Sequence, residues 1–99
     1  MCYTIDEIKE KTIPIAIKYD VDALGLFGSY ARGEATEESD VDLLVKKGGL
    51  RSLIQYFAFV NELEKALRCH VDLVTSEIED RAFLDNAYKD QVILYERKR

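Results

Sequence analysis

The sequence predicts an α/β fold, a small sheet layered with helices. Three observations carry that reading. Short apolar runs closed by glycine or charge alternate with helical patterns. Capping boxes open the first and the last helix. An eighteen-residue amphipathic stretch joins two of the strands, which is the length a parallel crossover needs.

Taken in order, Thr4-Ile5-Asp6-Glu7 reads as a capping box and starts a helix near Ile5. Pro14 interrupts that helix, which either kinks there or restarts with Pro14 in its first turn. Asp22 to Phe27 is a short apolar run closed by Gly28-Ser29 and reads as a buried strand. One brief helical turn follows, then a polar, acidic loop from Gly33 to Ser39, where Ser39 serves as a cap or turn residue. Val41 to Val45 is the second strand, ended by Lys46-Lys47-Gly48-Gly49. Leu50, Leu53, Ile54, Phe57, Val60, Leu63 and Leu67 recur at three- and four-residue steps, so a helix spans Leu50 to Leu67. Val71 to Val74 is a third strand. Ser76-Glu77-Ile78-Glu79 repeats the capping logic ahead of a helix from about Glu77 to Tyr88, and Val92 to Tyr95 reads as a short edge strand.

Length and charge bound the function. The 99 residues read as one domain, 1–99, with no separate substrate-binding lobe. Hydrophobic residues at 47% and charged residues at 33% are a globular balance, not a disordered one. A net charge of −5 argues against a protein that coats nucleic acid; the basic end Arg97-Lys98-Arg99 is too small to reverse it. Cys2 and Cys69 form no disulfide framework or zinc pattern, which suits a reducing cytoplasm. Asp6, Glu7, Lys9, Glu10 and Lys11 break up any signal-peptide core, and no apolar run approaches the roughly 20 residues of a membrane span.

The chemistry gathers at one rim of the sheet. Asp40 and Asp42 are two apart on a strand, so their carboxylates share a face. A parallel crossover makes the second and third strands begin at the same end, and Asp72 joins the pair there. The first strand, an antiparallel neighbour, delivers Gly28-Ser29 to the same place. An isolated Asp-x-Asp is commonly a solvated strand edge, and an isolated Gly-Ser a turn; their convergence is what points to a site. Three carboxylates that repel one another call for a divalent cation, and Mg²⁺ on oxygen ligands suits a phosphate substrate. Arg32 either neutralises phosphate charge or pairs with Glu34 or Glu37. His70, the only histidine, invites a general-base role but reads as a half-exposed packing residue. Around the long helix, apolar side chains span more than half the circumference, whereas one sheet covers about a 100° stripe. The remainder, Tyr56 and Phe59 above all, needs another cover, from this chain or from a partner.

Gly28-Ser29, ten residues, then Asp40-Val41-Asp42 resembles the nucleotidyltransferase signature of the DNA polymerase β-like superfamily. Phe27 to Glu34 and Ser39 to Val45 are similar to its small stand-alone branch, the minimal nucleotidyltransferase (MNT) domains, and Asp72 matches the third acidic position. The resemblance covers essentially the whole chain and lacks no motif position. It implies a polymerase β-like core, a small mixed sheet flanked by helices. It implies that Asp40, Asp42 and Asp72 hold two Mg²⁺ ions, that Asp72 also helps deprotonate the acceptor hydroxyl, and that Gly28 and Ser29 bind the triphosphate of ATP, with Arg32 a further candidate. The reaction implied is in-line attack on the α-phosphorus with pyrophosphate leaving. It also implies a partner: a HEPN ribonuclease toxin that the MNT antitoxin silences by transferring AMP to a tyrosine. Two other readings stay open at this stage, an antitoxin that only occludes its partner and a nucleotidyltransferase of small molecules such as antibiotics.

Overall fold

A computed structural model describes residues 3–36, 38–75, 82, 85, 89 and 91–97. The chain begins with α1 (Ile5–Lys18), capped as its sequence predicts. The Thr4 hydroxyl accepts from the Glu7 N–H at 3.1 Å, and the Glu7 carboxylate accepts from the Thr4 N–H at 2.9 Å. Of the two expectations for Pro14, the restart does not occur: α1 runs on past Pro14 as one helix. Pro14 removes the N–H that would serve the Glu10 carbonyl, but both residues are exposed, so water can take that carbonyl. The opposite face, Ile8, Thr12 and Ala16, is buried at four-residue steps and anchors the helix; the Thr12 hydroxyl satisfies itself on the Ile8 carbonyl at 2.7 Å.

β1 (Ala23–Phe27), the one-turn α2 (Gly28–Arg32) and β2 (Val41–Lys46) follow. Next comes α3 (Leu53–Leu67), then β3 (Val71–Thr75) and β4 (Val92–Glu96). The sheet order is β3-β2-β1-β4. β1 is antiparallel to both its neighbours, β2 and β3 are parallel, and β4 is the edge strand that its apolar run suggested. α3 is the crossover that makes the β2–β3 pair parallel. It starts three residues later than its periodicity implied, because the Ser52 hydroxyl caps it by accepting from the Gln55 N–H at 3.2 Å. Leu50 is instead buried in the preceding loop, its N–H bonded to the Lys47 carbonyl at 2.8 Å. Ala82, Asp85 and Lys89 are helical and exposed; the rest of the helix expected over Glu77 to Tyr88 lies outside the described residues.

The core forms where α1 and α3 meet the sheet, with Ile8, Leu24, Leu26, Val41, Leu43, Val45, Phe59, Leu63 and Leu67 all withdrawn from water. Of the two covers considered for the arc of α3 beyond the sheet, this chain supplies the one over Phe59. Phe59 is wholly buried, its ring 5.3 Å from that of Tyr19, and Tyr56 is half-buried, its hydroxyl donating to the Leu73 carbonyl at 2.5 Å. On α3 the large apolar side chains left in water are Leu53, Ile54 (82% exposed) and Phe57, toward its start. α1 packs on α3 and leaves that end uncovered. No helix among the described residues is long and apolar enough to cross a membrane.

Candidate active site

The parallel pairing of β2 and β3 sets the acidic rim. Val41 is in register with Val71 and Asp42 with Asp72, and the Val41 N–H donates to the His70 carbonyl at 3.1 Å. Asp40 and His70 therefore lie side by side where the two strands start, two residues before Asp42 and Asp72. On the other side of β2, Phe27 ends β1 in register with Asp42, and the chain turns there at Gly28. That turn requires glycine twice over. Gly28 has φ +72°, in the left-handed region, and a Cβ on it would lie 2.2 Å from Asp42 Oδ2. The backbone thus closes on the Asp42 carboxylate, and Ser29 follows half-buried as the next residue of α2. The five residues Gly28, Ser29, Asp40, Asp42 and Asp72 meet at one end of the sheet, as expected.

Their electrostatics are unfavourable without a cation. Burial pushes the Asp42 carboxyl up to about 6, helped by the charge of Asp72, a hydrogen bond with Asp72 and the charge of Asp40; Arg32 opposes the shift. A carboxylate set with this much mutual repulsion is an oxygen-rich site for a hard divalent ion. Asp40, His70 and Asp72 each offer a ligand atom, all within 4.8 Å of one another and open to solvent. The residues present therefore fit a divalent cation.

Arg32 pairs with Glu34, Nε to Oε1 at 3.4 Å, one of the two roles considered for it, while its charge still reaches Asp42. The Ser39 hydroxyl accepts from the Thr36 N–H at 2.8 Å, so Ser39 is the turn residue its position suggested. His70 is not a packing residue. It is exposed, with Nε2 2.9 Å from Asp72 Oδ1 and Nδ1 3.2 Å from Glu64 Oε2. Hydrogen bonding to Asp72 raises the His70 pKa, burial opposes it, and the charges of Asp72, Asp40 and Glu64 add to it. The sequence held a signal for this: His70-x-Asp72 has the same two-residue spacing as Asp40-x-Asp42 and so shares a strand face.

A groove of about 580 Å³ adjoins the rim, lined by Tyr3, Lys11, Tyr30, Ser39, Lys65 and Arg68 among others. Ser39 and Cys69 in its wall directly precede Asp40 and His70. A second cavity, about 400 Å³, lies at the far end of β2 and β3 between Lys47, Leu50, Tyr56 and Thr75; among the described residues no carboxylate lines it.

Comparison with known proteins agrees with this geometry. Residues 10–99 match the family model described as Polymerase beta, Nucleotidyltransferase. A Methanocaldococcus jannaschii protein named "putative protein adenylyltransferase" is 38% identical over 97 residues, covering 91% of this chain and 96% of its own. A solved structure described as a "putative minimal nucleotidyltransferase" superposes with a TM-score of 0.77 at 26% identity, over 91% of this chain and 95% of its own. The fold is also that of a chain in the complex of a tri-AMPylated Shewanella oneidensis HEPN toxin with its MNT antitoxin. There the TM-score is 0.72 at 20% identity, over 95% of this chain and 74% of that one.

Proposed function

The chain belongs to the Polymerase beta nucleotidyltransferase family, and from that premise we propose that it transfers AMP from ATP to a tyrosine hydroxyl of a HEPN ribonuclease partner and so acts as an antitoxin. The observation that carries this reading is the convergence of Asp40, Asp42 and Asp72 on the rim where Gly28 closes against Asp42. The relative named for protein adenylyl transfer and the likeness to an antitoxin bound to its AMPylated toxin support it.

In this reading Asp40, Asp42 and Asp72 hold two Mg²⁺ ions. When bound, these neutralise phosphate charge and steady the attacking and leaving oxygens of an in-line displacement. Gly28 lets the backbone approach the triphosphate, and Ser29 offers its hydroxyl to it. Arg32 adds positive charge from the same side, within the limit set by its pairing with Glu34. Asp72, at the outer edge of the rim, takes the proton from the acceptor hydroxyl as the oxygen attacks the α-phosphorus. The bond to the bridging oxygen breaks, and pyrophosphate carries the electron pair away. A chain with net charge −5 also complements a ribonuclease surface built to hold RNA.

The test is mass spectrometry of the HEPN partner co-expressed with this chain. Mass increments of AMP on a tyrosine are expected. An unmodified but neutralised partner would instead favour occlusion.

A further inference from the structure

We propose that His70 is a positioning residue for the acidic rim: Glu64 holds its ring, and the ring fixes Asp72 in the orientation that receives a divalent cation. The proposal rests on the carboxylate–cation reading above and adds two residues that reading does not use.

The clasp begins where α3 ends. Arg68 adopts φ +55°, a left-handed cap that reverses the chain, its N–H bonded to the Glu64 carbonyl at 2.7 Å. A left-handed arginine is uncommon, and here the reversal brings Cys69 and His70 back alongside Glu64. Glu64 Oε2 then contacts two groups, the Val71 N–H at 3.1 Å and His70 Nδ1 at 3.2 Å. Val71 is the first residue of β3, so its bond ties the Glu64 carboxylate to the strand that carries Asp72. On the other side of the imidazole, Nε2 lies 2.9 Å from Asp72 Oδ1. The ring thus lies between two carboxylates, with one nitrogen facing each.

Positioning is what such a bridge supplies. The Asp72 side chain is 51% exposed and would otherwise sample several rotamers, and each cation bound would have to stop that motion. With Oδ1 engaged by His70, the carboxylate is held in one rotamer before any cation arrives. Partners one step behind a metal ligand commonly alter metal affinity or activity by about 10- to 100-fold. The competing possibility is that His70 Nε2 is itself a ligand beside Asp40 and Asp72.

Mn²⁺ is the probe, titrated against the whole chain without nucleotide and followed by the electron paramagnetic resonance of the free ion, with thermal unfolding recorded in parallel. His70→Ala is expected to unfold near the wild-type temperature, because the ring is 60% exposed, and to bind Mn²⁺ about 10- to 100-fold more weakly. His70→Gln, whose amide can donate to Asp72 Oδ1, is expected to recover much of the loss. Glu64→Ala, which frees the ring, is expected to weaken binding in the same direction. Unchanged affinity in His70→Ala overturns the proposal, and unchanged affinity in Glu64→Ala overturns the clasp. Imidazole nitrogen coupling to bound Mn²⁺ in the wild type overturns positioning in favour of ligation. A wild type that binds no Mn²⁺ overturns the underlying cation reading, which distinguishes that failure from the others.

Discussion

Asp42 and Asp72 are register partners across the parallel β2–β3 pair, so two carboxyls sit on adjacent strands at one level of the sheet. Parallel neighbours lie roughly 4.8 Å apart, too close for both groups to ionise freely in a half-buried setting. Asp42 carries the strain, since the Gly28 turn closes over it while Asp72 faces solvent.

The first prediction concerns pH. Burial, then the charge of Asp72, pushes the Asp42 carboxyl up to about 6. Between the ordinary carboxylate range near 4 and this value, the folded chain keeps a proton that the unfolded chain releases. Stability from this group is therefore greatest at low pH, falls as pH rises through that window, and is flat above it. The wild-type minus Asp42→Asn difference in denaturant midpoint, metal-free at pH 4.5 and pH 7, isolates the effect. The difference should move against the wild type at the higher pH. Saturating Mg²⁺ should abolish this trend, because the cation replaces the proton.

Gly28→Ala should disable the site more than the fold. The positive φ costs a non-glycine residue about 1–2 kcal/mol, and the new methyl must displace Asp42 Oδ2. Denaturant melts should show that modest loss, while ATP turnover should drop by well over tenfold. Full activity in a folded Gly28→Ala protein would mean that Asp42 does not need its present place.

Two phenylalanines of α3 separate core from surface. Phe59→Ala removes a wholly buried ring and should cost about 3–5 kcal/mol. Phe57→Ala removes a ring that is 60% exposed and should stay within about 0.5 kcal/mol. Chemical denaturation of the two variants measures both.

The contrast also shows what the sequence could and could not carry. The acidic rim was legible because strand period and crossover direction are local rules, and together they place Asp40, Asp42, Asp72 and Gly28-Ser29 without side-chain detail. The arc of α3 that would be covered was not legible, since it depends on where α1 docks, a long-range contact. Pro14 does not divide α1, because a missing hydrogen bond matters little on a solvated face. Ser52 was a cap hidden inside a longer apolar period. Glu64 and His70 meet only because Arg68 turns left-handed, and nothing in the residue type arginine announces that.

The last prediction separates catalysis from occlusion. Asp42→Asn keeps the size and shape of the side chain, and part of its surroundings already favours the neutral form, so the fold should survive. The replacement takes one charge from the set proposed to hold two cations, and groups that act as a unit lose activity by orders of magnitude when one member goes. Asp42→Asn is thus expected to co-purify with the HEPN partner, to leave it without AMP on mass spectrometry, and to leave its ribonuclease activity intact. Binding alone would give a different pattern: a partner still bound, still unmodified, and silent. In that case the rim would serve assembly, and neutralisation would come from a covered surface instead of a modified tyrosine. Catalysis is the expected outcome, because an occluding protein has no use for three carboxyls gathered on one rim, where burial and then the charge of Asp72 push Asp42 up to about 6.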